Sequence, residues 1–200
     1  MNRLVGMGPG SMRHVTVEAI ERIRSADRVI AFGRIAETAA NIRQDVIVID
    51  KVDKLPGILE PEKENVILAS GDPCFYGILD FLAKQGITIE EVVPGLSSMQ
   101  YMMARLKKSW HGAALVSFHG READIGRIKG CKEAVILADS SHTPGFISSY
   151  LWENGIRGKL YAGFNLSYEN EQIVEKRIGE GIEAVSTLAL VVIENEMDQR

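Results

Sequence analysis

What most constrains this 200-residue chain is its alternation of short apolar runs with stretches of helical period. Residues 3–7, 28–32, 46–49, 65–69 and 87–93 read as strands, and the first four are apolar at nearly every successive position. Such runs suit strands buried on both faces, as in parallel sheets whose crossover helices cover both sides. Between them Val17, Ile20 and Ile23 fall on one helical face behind Thr16, a capping residue. Helices are also expected at 35–42, at 75–84 ahead of Gly86, and from Ser97 to about residue 106. Strands alternating with helices predict an α/β fold with a largely parallel sheet.

The polar, basic stretch at 107–112 breaks this rhythm. It is the expected boundary between an N-terminal α/β domain with a mostly parallel sheet (1–109) and a C-terminal α/β domain with a mixed sheet (110–200). The second half restarts with strands at 113–118, 133–138, 159–164 and 189–194. A helix at 144–153 stops at Asn154-Gly155. Residues 172–179 fit neither period.

Composition excludes several classes. A net charge of −4 disfavours a general nucleic-acid binder, which carries a basic excess. The N-terminus lacks the charged and apolar regions of a secretory signal, and the longest apolar run, 188–193, is far too short to span a membrane. Cys74 and Cys131 form no CxxC, which fits a reducing cytoplasm. His14, His111, His119 and His142 have no metal-site spacing, so no bound metal is expected.

Three glycine-bearing turns stand at the carboxyl ends of predicted strands, the edge at which open α/β sheets bind ligands. The first, Gly6-Met7-Gly8-Pro9-Gly10-Ser11, comes near the dinucleotide fingerprint G-x-G-x-x-G, but Ser11 replaces its third glycine. Gly33-Arg34 follows the second strand where that fingerprint wants an acid, and Pro9 removes a backbone donor. No G-x-x-x-x-G-K-[ST] is present, and alone the turn is as readily a connection without a ligand. The second, 70–77, has Gly71 for close backbone approach, with Pro73 expected at the first helical position and Asp72 as its cap. Cys74 has no histidine nearby in sequence and is expected to be a small buried hydrophobe rather than a nucleophile. The third, Pro94-Gly95-Leu96-Ser97-Ser98-Met99, fails as a G-x-S-x-G nucleophile elbow at Met99, and Ser97 reads as a helix cap.

In this order and spacing the turns GxGPG, SGDPxFYG and PGxSS resemble those of the tetrapyrrole (corrin and porphyrin) methylases, over the whole chain. Ser117-Phe118-His119-Gly120-Arg121, and Leu137-Ala138-Asp139 with Thr143-Pro144, are similar to the members that methylate carbon-5 of precorrins on the route to vitamin B12. The chain departs from the family at Ser11-Met12, where Asp-Pro is common, and at Phe164, where an acid is commoner.

The resemblance implies a class III methyltransferase fold, two α/β domains with the active site in the cleft between them, and S-adenosylmethionine as methyl donor. It implies donor contacts from Pro9, Ser70, Gly71, Asp72, Phe75, Ser97, Ser98 and Ala138, and substrate contacts from Gly8, Gly10, His119, Gly120 and Arg121. No catalytic base is assigned. Precorrin acetate and propionate arms call for cations, and Arg121 with His119 is the first choice, ahead of Arg13, Arg34, Lys107 and Lys108. The resemblance also implies a cytoplasmic homodimer, with a separate C15-methylating, decarboxylating enzyme as a partner. The alternatives are methylation of another precorrin position, uroporphyrinogen, ribosomal RNA or the diphthamide precursor, a nucleotide-dependent oxidoreductase, or a non-catalytic metabolite-binding protein.

Overall fold

The structure, a computed structural model, describes residues 1–118 and 124–196. The chain divides into two compact units, Met1–Ser98 and a second from Met99 onward. Among the described residues no helix is long and apolar enough to cross a membrane.

The first unit runs β1 (Asn2–Gly6), α1 (Val17–Ser25), β2 (Arg28–Phe32), α2 (Arg34–Ala40), β3 (Ile47–Ile49), β4 (Asn65–Ala69), α3 (Leu79–Lys84) and β5 (Glu91–Val93). Its sheet has the order β3-β2-β4-β1-β5, and every pairing in it is parallel. From β1 the chain moves through β2 to β3 in one direction, then returns through β4 to β5 in the other. Right-handed crossovers therefore send the two sets of connections to opposite faces. The core bears this out. Val5, Val29, Ala31, Val66 and Leu68 pack against Ala19, Ile23, Ile35 and Ala39 of α1 and α2. Leu4, Ile30, Ile49 and Ile67 pack on the other face against Leu55 and Leu82. Burial of each such Val, Leu or Ile contributes about 1.5–3 kcal/mol. The sequence expectation of strands covered on both faces is met.

The second unit holds α4 (Ser98–Leu106) from its second residue onward, β6 (Ala114–Ser117), α5 (Ile125–Lys129), β7 (Glu133–Leu137), α6 (Pro144–Glu153), β8 (Gly158–Phe164), β9 (Gln172–Arg177) and β10 (Ala189–Asn195). The sheet order is β6-β7-β10-β8-β9, with β6 and β7 parallel and the rest antiparallel. One face buries Val116, Ile136, Leu160, Ala162 and Val191 beneath Ile128 of α5 and Ile147 and Leu151 of α6. Helix α4 lies with this unit. A Cβ on Gly163 of β8 would come within 2.8 Å of the Met102 sulfur, and Arg105 Nε donates to Glu171 at 2.8 Å.

Helix boundaries follow their caps. Thr16 accepts the Ala19 amide at 3.1 Å and starts α1, and Thr143 accepts that of Phe146 at 3.3 Å with Pro144 opening α6. Helix α6 stops at Asn154 because Gly155, at φ 82°, turns the chain, so that the Ile156 amide reaches the Leu151 carbonyl at 2.9 Å.

Two sequence expectations are corrected and one ambiguous segment is resolved. The helix expected at 75–84 begins only at Leu79, because residues 73–77 make a tight turn with Tyr76 at φ 50°. Asp72 serves that turn by accepting the Cys74 amide at 2.7 Å, and α3 has Ile78 as its cap. The strand expected at 87–93 is ladder-bonded only over Glu91–Val93, since the Ile87 amide closes the end of α3 on Leu82 O at 3.0 Å. Residues 172–177 form β9, an edge strand.

Candidate functional site

The strand order β4-β1-β5 sets the three strands bearing glycine turns side by side, so turns far apart in sequence meet at one carboxyl edge. Strands β1 and β4 are also neighbours whose connections leave to opposite faces, which makes their junction the sheet's switch point.

The turns interlock through main chain. The Met7 amide bonds Ala69 O at 2.8 Å, the Gly71 amide bonds Gly8 O at 2.8 Å, and the Gly8 amide returns to Gly71 O at 3.3 Å. A Cβ on Gly6 would lie 2.6 Å from the Gly95 nitrogen and 2.7 Å from the Gly71 oxygen. One on Gly95 would lie 2.9 Å from the Gly6 carbonyl carbon, and the Gly71 oxygen would be closer still. Glycine is required at both places because backbone occupies the space a side chain would take. Gly8 and Gly10 have packing roles of their own. Gly8, at φ 73°, passes the His14 carbonyl with no room for a Cβ, and the Gly10 carbonyl accepts the Thr38 hydroxyl of α2 at 3.0 Å. Gly8, Pro9 and Gly10 are all buried.

Gly71 differs. At φ 67° it adopts a conformation that favours glycine, yet a Cβ there would meet only Ser97 Cα at 3.8 Å and Ser98 N at 4.0 Å. Around it Ser70 is exposed, Gly71, Asp72, Phe75 and Ser98 are half-buried, and Ser97 is buried. Phe75 and Tyr76 meet edge to face at 5.2 Å between ring centres. Cys74 is exposed, which corrects the expectation of a buried hydrophobe. Desolvation, with Asp72 and Asp80 nearby, raises its thiol above the ordinary range, which disfavours the thiolate a nucleophile needs.

In the second unit Ala138 directly follows β7, and its amide bonds Ala189 O at 3.4 Å. His119, Gly120 and Arg121 lie outside the described residues. Lys108 pairs with Glu194 and sits 5.2 Å from the Tyr161 ring centre. Glu194 lies opposite Glu133, at the amino end of β7, so Lys108 stands at the sheet edge away from Ala138. Arg13, Arg34 and Lys107 are exposed.

One chemistry-bearing pair escaped the sequence reading. Beyond Ala138, the Asp139 carboxylate accepts the Ser141 amide at 2.8 Å and the His142 amide at 2.6 Å, and its Oδ1 lies 3.0 Å from His142 Nδ1. Hydrogen bonding from the His142 amide, joined by its ring and by Ser141, holds Asp139 at about 2 against the opposing effect of desolvation. The available signal was an aspartate three residues before a histidine, just past a strand end.

Comparison with known proteins is consistent along the chain. The family model for Tetrapyrrole (Corrin/Porphyrin) Methylases matches residues 3–181. A Methanocaldococcus jannaschii protein named "Probable cobalt-precorrin-7 C(5)-methyltransferase" is 32% identical over 192 residues, spanning 88% of this chain and 89% of that one. The crystal structure of a cobalamin biosynthesis precorrin-6Y methylase from Archaeoglobus fulgidus superposes with a TM-score of 0.79 at 25% identity, covering 98% of this chain and 99% of the other. A uroporphyrin-III C-methyl transferase from Thermus thermophilus, solved with S-adenosyl homocysteine, shares the fold with a TM-score of 0.78 at 24% identity, over 96% of each chain.

Proposed function

The chain belongs to the tetrapyrrole (corrin/porphyrin) methylases, and on that premise we propose that it methylates carbon-5 of cobalt-precorrin-7 in cobalamin biosynthesis, with S-adenosylmethionine as donor. The observation that carries this reading is the interlock of the three turns on β4-β1-β5, all within the matched region. Membership of a methyltransferase family removes the oxidoreductase and non-catalytic alternatives.

S-adenosylmethionine supplies a methyl group on a sulfonium, an already activated leaving group. The residues present fit such a donor. The gap at Gly71, where a Cβ would stand, exposes main chain bordered by Ser97 and Ser98, and the neighbouring side chains are mostly small. Pro9, Ser70, Gly71, Phe75, Ser97 and Ser98 hold the donor largely by backbone and shape. Asp72, with one oxygen on the Cys74 amide, offers the other to a hydroxyl or ammonium group. Gly8 and Gly10 set the first turn toward substrate. For Ala138, His119, Gly120 and Arg121 the proposal rests on the family resemblance.

These residues act by alignment. Holding two reactants in line lowers the barrier by roughly 7–11 kcal/mol in favourable cases, and a site built from interlocked backbone loses little of that to motion. A homodimer, a cytoplasmic location and hand-over to a separate C15-methylating, decarboxylating enzyme belong to the same proposal.

Titration calorimetry with S-adenosylhomocysteine and with NADH, followed by turnover on cobalt-precorrin-7, tests the reading. Binding of the first ligand alone and methylation of the ring are expected. Absence of S-adenosylhomocysteine binding overturns it.

A further inference from the structure

We propose that His142, positioned by Asp139, is the base that takes the proton released at the methylated ring carbon. This rests on the functional reading above. Asp139 accepts two backbone amides, which is enough to shape the loop, yet it also faces the imidazole, with its oxygens 3.0 and 3.2 Å from Nδ1. An ionised carboxylate only accepts, so Nδ1 carries a hydrogen, and in the neutral ring it is then Nε2 that holds the lone pair. The same logic orients the imidazole in hydrolytic triads.

Exposure is divided as such a pair requires. The Asp139 side chain is 14% exposed and that of His142 31%, so the acid is sheltered while the ring is reachable. The ring is fixed by Phe118, 5.3 Å between centres, and by Phe146, 5.1 Å. Phe146 lies stacked with Tyr150 at 6.0 Å and is itself 44% exposed, so an aromatic surface suited to a flat conjugated macrocycle adjoins the imidazole. The pair also follows the carboxyl end of β7 directly, next to Ala138.

The step balances. A π electron pair of the ring carbon forms the bond to methyl while the carbon–sulfur bond breaks and its pair goes to sulfur. The carbon then gives its proton to Nε2, and the C–H pair restores the conjugated system. Asp139 stabilises the imidazolium and is a positioning residue, and solvent removes the proton afterwards.

Nitrogen-15 NMR of the imidazole and kinetics on cobalt-precorrin-7 test this together. The native ring is expected as the Nδ1–H tautomer, and Asp139→Asn is expected to disturb it. His142→Gln is expected to keep its melting temperature, S-adenosylhomocysteine affinity and KM while kcat falls by about 10²–10⁴. Deuterium at the accepting carbon is then expected to slow the variant, showing proton removal to be rate-limiting. An Nε2–H tautomer in the native protein, or a near-native kcat in His142→Gln, overturns the inference and leaves the functional reading standing. A native protein that binds S-adenosylhomocysteine but methylates no precorrin overturns the functional reading, and the inference with it.

Discussion

Replacing Gly6 by alanine tests whether the three turns are held together by backbone contact. The added Cβ would stand 2.6 Å from the Gly95 nitrogen, 2.7 Å from the Gly71 oxygen and 2.8 Å from Gly95 Cα. All three atoms are main chain on other turns, and each is more than half an ångström inside ordinary contact, so no rotamer change relieves the clash. Overpacking costs about 1–3 kcal/mol, and unyielding neighbours place this site at the upper end. Loss of unfolded-state freedom returns about 0.4–1 kcal/mol. The expected net loss is therefore about 2–2.6 kcal/mol, a large part of a domain's roughly 5–15. Two controls grade the effect. Gly57→Ala meets open space without positive φ and should be neutral or stabilising by up to about 1 kcal/mol. Gly71→Ala has room but stands at φ 67° and should cost about 1–2 kcal/mol. Urea unfolding followed by circular dichroism ranks the three variants. Gly6→Ala with native stability would refute the interlock.

Other consequences are local. Thr16→Ala removes the acceptor for the Ala19 amide and should cost about 1 kcal/mol by the same unfolding assay. Ser148 is buried, donates to the Glu180 carbonyl at 2.9 Å and accepts the Gly179 amide at 2.9 Å, so Ser148→Ala strands two partners and should cost about 1–3 kcal/mol. Asp139 sits at about 2 in the fold, below the roughly 3.9 of an unfolded aspartate. Its contribution is thus full above about pH 4 and is lost as pH falls toward 2. Carbon-detected NMR titration should place its midpoint near 2, and a midpoint near 4 would contradict the hydrogen-bonded loop.

Much of the fold was legible because strands buried on both faces leave continuous apolar runs, as at Val66, Ile67 and Leu68. Caps with a single geometry were legible too, at Thr16 and Gly155. What was not legible depended on tertiary competition for hydrogen bonds. Ile87 and Ile89 have strand character, yet they pack against the core while the Ile87 amide closes α3. Edge strand β9 exposes Gln172, Glu175, Lys176 and Arg177, so its pattern carries half a signal. At the candidate site the turns were legible as glycine patterns, but their mutual contact was not, because it depends on the strand order β4-β1-β5. His142 was set aside for want of metal spacing, since a partner three residues away shows only when the loop folds back on Asp139.

The central claim is tested most directly by incubating the protein with cobalt-precorrin-7 and S-adenosylmethionine labelled with carbon-13 at its methyl group, then locating the label by NMR. One labelled methyl on carbon-5 and stoichiometric S-adenosylhomocysteine are expected. A label on another ring carbon, or none on the ring, would contradict it.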